Sequence, residues 1–125
     1  MIEFNVRHID NAIQKSRARE NYTIYRGVRN ISRIENPSAG GAFTEKAFGS
    51  FTLSFDKALG YTKLENLMIF QLELLQGENI LFMGQNEEEM LRPRESAYKI
   101  TKIRDFFVEK FNMSVKIYYI ESQMR

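Results

Sequence analysis

Apolar positions along the chain fall mostly into short runs of strand character, with a few stretches at helical spacing. Residues 7–18 place Ile9, Ala12 and Ile13 on one helical face, with Asp10 near the start and basic residues near the end, as the helix dipole favours. Asn21 breaks that pattern, and the β-branched and aromatic run Tyr22-Thr23-Ile24-Tyr25-Arg26-Gly27-Val28 predicts a strand. Residues 29–46, with Asn36-Pro37-Ser38 and Gly40-Gly41, read as a surface loop. Residues 47–53 predict a second strand with Phe51 and Leu53 on one face and Ser50 and Thr52 on the other. Ser54 is placed to cap a short helix over 55–61, with Asp56 in its first turn.

Further on, Leu67 to Leu75 reads as a long apolar strand, Gly77-Glu78-Asn79 as a turn and Ile80 to Met83 as a brief strand. After Pro93 the pattern predicts a strand over 96–103, a short helix over 104–111 turning Phe107, Val108 and Phe111 inward, and a last strand over 114–120. Short strands with three small helices make the class α+β. There is no internal repeat, low-complexity segment or linker.

With 125 residues the chain is the length of one domain. Its hydrophobic content of 43% and charged content of 27% are ordinary for a soluble globular protein. Zero cysteines exclude a disulfide scaffold, a thiolate metal site and a cysteine nucleophile. One histidine, His8, argues against a histidine metal cluster or a Ser-His-Asp triad, so no metal is expected. No apolar run approaches the roughly 20 residues that span a bilayer, and the N-terminus lacks a signal-peptide pattern. The expectation is a cytoplasmic protein with no membrane partner. The net charge of +2 divides into +4 over residues 1–34, −6 over 35–91 and +4 over 92–125. A basic flank can meet phosphates, or be no more than a solvated face.

The acidic centre is Gly84-Gln85-Asn86-Glu87-Glu88-Glu89-Met90-Leu91-Arg92. At the start of a strand, side-chain alternation puts Glu87 and Glu89 on one face and Glu88 on the other. Two like charges on a packed face repel and are penalised by burial, so the pair suits a cleft that needs negative charge, or else an exposed acidic turn.

In chain order there is an arginine late in a strand, hydroxyl residues on a second strand and a carboxylate pair after a turn. In these features the sequence resembles the mono-ADP-ribosyltransferases of the arginine-serine-glutamate class, which includes binary-toxin enzymatic subunits and phage ADP-ribosyltransferases. Tyr25-Arg26-Gly27-Val28 resembles the family's first-strand arginine motif, and Phe48-Gly49-Ser50-Phe51-Thr52-Leu53-Ser54 its aromatic-x-Ser-Thr-Ser motif. Ala58 falls where the family usually has alanine. Glu87-Glu88-Glu89-Met90-Leu91 is similar to its Glu-x-Glu followed by apolar residues, and Tyr98-Lys99-Ile100 to the next strand. The likeness spans residues 8–120 and departs at Phe51 and Thr52, the second of which keeps a hydroxyl.

The resemblance implies two packed, mostly antiparallel sheets with a few short helices and an NAD cleft between them. It implies one domain over 1–125 without the helices that family members usually carry before the segment starting here at Arg7. NAD would be the substrate, with Glu89, Glu87, Arg26 and Ser50 as catalytic residues and Arg26, Gly27, Ser50, Thr52 and Glu89 binding NAD. Arg26 would hold the phosphates, Ser50 orient Glu89, Thr52 support the same strand and Gly27 let the backbone approach nicotinamide. Glu89 would stabilise charge on the ribose and Glu87 position or deprotonate the nucleophile. Glu rather than Gln at 87 implies transfer to arginine on a target protein, in the cytoplasm of the producer or of a host. A nucleic-acid acceptor is less favoured, for want of an aromatic-basic platform. An NAD glycohydrolase on the same site and a non-catalytic module keeping the fold are the alternatives. Phe82 resembles the aromatic used for target recognition, or else packs.

Overall fold

The structure, a computed structural model, describes residues 2–31, 34, 36–62, 66–83 and 89–123. The helical spacing around Ile9 and Ile13 is realised in α1 (Ile2–Lys15), which begins earlier and ends earlier than its apolar pattern predicts. Its end is set from outside. The Asn79 side-chain amide donates to the carbonyls of Ile13 at 2.9 Å and of Gln14 and Ser16 at 3.3 Å, satisfying groups that a helix C-terminus leaves open.

Five strands form one sheet. They are β1 (Tyr22–Val28), β2 (Ala42–Glu45), β4 (Met68–Leu74), β7 (Ser96–Val108) and β8 (Met113–Ser122), in the order β1-β4-β8-β7-β2. All neighbours are antiparallel except β4 and β8, which run parallel. The second sheet has three antiparallel strands, β3 (Gly49–Phe51), β6 (Glu89–Arg92) and β5 (Leu81–Met83), in the order β3-β6-β5. Ile24, Phe70, Leu72, Ile100 and Ile120 from the first sheet share one core with Phe51 and Met90 from the second. A smaller core lies under α2 (Phe55–Leu59), where Ala58 and Leu59 pack with Leu67, Ile69, Val115 and Ile117. The α+β class with two mostly antiparallel sheets is therefore the fold.

Several local expectations are corrected. Residues 104–108 are not helical: β7 continues to Val108, only Glu109–Phe111 make a 3-10 turn, and Asn112 closes the hairpin with a left-handed backbone at φ 51°. Strand pairing wins here because Phe106 faces Val115 and Asp105 faces Lys116 across the ladder, pairings that favour a sheet. Phe106 and Phe107 are accordingly exposed, the latter by 54%. Within residues 29–46, read as loop, β2 pairs Ala42–Glu45 with Lys99–Ser96. Leu53 does not join Phe51 in the core, because β3 stops at Phe51 and the chain turns into α2. Phe82 lies in β5, within the brief strand expected over 80–83, half-buried, with its ring 5.6 Å from that of Tyr22.

Candidate active site

Arginine is an unusual occupant of the inward face of β1, yet Arg26 alternates with Ile24 and Val28, both buried. Its guanidinium reaches Glu45 at the end of β2, with Nη1 to Oε2 at 3.4 Å. On the other sheet, Ser50 pairs with Leu91 and Phe51 with Met90. That register puts Phe51 and Met90 into the core and turns Ser50 and Glu89 to the opposite face, one diagonal step apart. Both side chains are exposed, and they share no hydrogen bond among the described residues. β6 is held at its far end by Arg92, only 4% exposed, which donates to Tyr98 Oη and Ser122 Oγ, both at 3.3 Å, and to the Asn79 carbonyl. Glu89 thus projects from an anchored strand.

The two sheets meet where Tyr25 and Thr52 exchange backbone hydrogen bonds, Tyr25 N to Thr52 O at 2.8 Å and Thr52 N to Tyr25 O at 2.9 Å. This bridge sits one residue from Arg26 and two from Ser50, and so sets their separation. The Thr52 hydroxyl is buried and accepts from Ser54 N–H at 3.1 Å, while Ser54 Oγ accepts from Lys57 N–H at 3.1 Å to cap α2. Thr52 therefore supports the turn from β3 into α2.

Around the bridge a cleft of about 580 Å³ opens, within the roughly 300–1,000 Å³ usual for ligand sites. Its lining includes Arg26, Gly27, Ser50, Thr52 and Glu89, five of the six residues singled out from the sequence. Glu87, the sixth, lies outside the described residues. Arg29, Lys57 and Tyr61 also line the cleft and were not singled out from the sequence. Arg29 Nε donates to the Tyr61 carbonyl at 2.9 Å. Arg26, Arg29 and Lys57 bring to the cleft cations suited to phosphates, and Glu89 brings a carboxylate to the same lining.

Gly27 has a second reason to be glycine. A Cβ there would stand 2.2 Å from the carbonyl oxygen of Ala58 and 2.9 Å from Tyr61 Cβ, so α2 docks directly on the β1 backbone. Gly27→Ala is expected to lower stability by about 2–3 kcal/mol, as overpacking against immovable backbone does, read as a fall in denaturation midpoint. A midpoint equal to wild type would mean that α2 can shift without cost.

The sequence matches the ADP-ribosyltransferase exoenzyme family over residues 1–117. The chain belongs to that family. It is accordingly an enzyme of the NAD-dependent ADP-ribosyltransferase class. No curated protein matches it in sequence. Among solved structures, the ADP-ribosyltransferase C3larvin toxin from Paenibacillus larvae superposes with a TM-score of 0.75 at 17% identity, over 98% of this chain and 77% of that one. C3stau2 from S. aureus, solved with NAD, gives 0.72 at 16% identity, over 99% and 72%. The enzymatic component C2-I of the C2-toxin from Clostridium botulinum gives 0.72 at 20% identity, over 98% of this chain and 37% of that one. At such identities the superpositions speak for the ADP-ribosyltransferase fold alone. Among the described residues no helix is long and apolar enough to cross a membrane.

Proposed function

We propose that this ADP-ribosyltransferase family member transfers ADP-ribose from NAD to an arginine side chain of a target protein, releasing nicotinamide. The observation that carries the reading is the convergence on one cleft of Arg26 from β1, Ser50 from β3 and Glu89 from β6, brought together by the Tyr25–Thr52 bridge. Arg26, with Arg29 and Lys57 nearby, offers cations to the two NAD phosphates, and the planar fork of Arg26 suits paired phosphate oxygens.

The C–N bond between ribose and nicotinamide breaks, its electron pair leaves with nicotinamide, and positive charge develops at the ribose carbon. The Glu89 carboxylate stabilises that charge from a fixed position, a contribution of about 3–4 kcal/mol for one such group. A guanidinium nitrogen of the acceptor then forms the new C–N bond and gives up a proton. Glu87 takes or directs that proton by its place in the Glu-x-Glu motif. No metal is assigned a part. Action in the cytoplasm, of the producing cell or of a host, fits this chemistry, since NAD and protein acceptors meet there.

Incubation with labelled NAD and whole-cell lysate tests the reading. Labelled protein together with free nicotinamide supports transfer, and free nicotinamide alone supports hydrolysis. Neither product supports a module that keeps the fold without its chemistry. Ser50→Ala is expected to lower kcat about tenfold and leave KM for NAD nearly unchanged, well within the ~10²-fold that a 1 Å misplacement of a reacting group can cost. A raised KM with unchanged kcat would assign Ser50 to binding instead.

A further inference from the structure

We propose that Glu45 is a positioning residue for NAD, which holds the Arg26 guanidinium in the orientation that receives phosphate. The inference rests on the NAD reading of the cleft. In the five-stranded sheet, β1 and β2 are the two opposite edges, so an Arg26–Glu45 contact at 3.4 Å means that the sheet curls until its edges meet at the cleft. The pair is asymmetric in burial: the Glu45 side chain is 7% exposed and that of Arg26 is 23%. Of the two, Arg26 is the member that lines the cleft.

A guanidinium carries five N–H donors in one plane, so one edge can serve a carboxylate while another serves a ligand. The Arg26 Nη1 atom lies beside Gly49. A Cβ at Gly49 would lie 3.0 Å from the Phe51 ring and 3.6 Å from Arg26 Nη1. A buried ion pair gains little net stability over apolar packing, and its use lies in fixing one arrangement. Here the arrangement fixed is that of an otherwise flexible phosphate ligand, so its ordering precedes NAD binding.

Two effects of Glu45 oppose each other, which makes the sign of a substitution informative. As a nearby negative charge Glu45 weakens the attraction of phosphate, and as a buried ion-pair partner it orients Arg26. If positioning dominates, Glu45→Gln raises KM for NAD about tenfold while kcat stays within about twofold, because geometry is lost but Glu89 is untouched. In an Arg26→Lys background the same substitution changes KM by less than about twofold, since the fork it would orient is gone.

Unchanged or tighter NAD binding by Glu45→Gln overturns the proposal, as does an equal loss in both backgrounds. A second measurement needs no variant. In spectra of ¹⁵N-labelled wild type without NAD, Arg26 side-chain N–H resonances are expected to show restricted rotation, and free rotation of that guanidinium overturns the proposal. Failure of wild type to bind NAD in calorimetric titration would instead overturn the function proposed for the cleft, and the guanidinium spectra would still decide the grip of Glu45.

Discussion

Glu89→Gln is expected to release nicotinamide at least about a hundredfold more slowly than wild type, with and without a protein acceptor. Glutamine has nearly the shape of glutamate and can still hydrogen-bond, so what is removed is the charge that the ribose cation needs. The side chain is exposed at the start of β6, whose hold on the fold comes from buried Met90 and Arg92, so thermal stability is expected to change little. NAD affinity should fall by less than about threefold, because the lost interaction belongs to the transition state. Nicotinamide release near the wild-type rate, at matched folded fraction, would remove Glu89 from the mechanism.

Glu87→Gln is expected to behave differently. Its charge acts on the acceptor, so labelled-protein formation should fall by about 10²-fold or more while slow nicotinamide release continues, with water replacing the guanidinium. The two substitutions are compared by measuring both products in the same reaction. Parallel loss of transfer and release in both variants would show that the carboxylates work as one unit. Continued modification of arginine by Glu87→Gln would mean that the acceptor finds its base elsewhere, or needs none.

How much of the fold and the site is legible in the sequence varies with the range of the forces involved. β1 is legible to the residue because Tyr22-Thr23-Ile24-Tyr25 favours a strand by itself and Asn21 marks its start. The cap of α2 was legible because Ser54 and Lys57 N–H meet within three residues. The segment 104–111 was not, since Phe107, Val108 and Phe111 suit a helix and the partner that makes them a strand, β8, lies beyond the hairpin. β2 was hidden by the glycines before it and is only four residues long. At the site, motif order led to Arg26, Ser50 and Glu89, but Glu45 was invisible because its partner stands at the opposite edge of a curled sheet. Arg29, Lys57 and Tyr61 were missed for a similar reason: docking of α2 on β1 brings them to the cleft, and no spacing encodes that.

The Tyr25–Thr52 bridge has a consequence for how the enzyme breathes. Its two amide protons are shared between sheets, so they become available to solvent when the sheets part and are shielded again when they rejoin. Any such parting moves Arg26 away from Ser50, because each is covalently within two residues of the hinge. Exchange of these two protons with deuterium therefore counts the moments at which the cleft has no assembled catalyst. A ligand that grips both sides slows that clock in proportion to how firmly it holds the sheets closed.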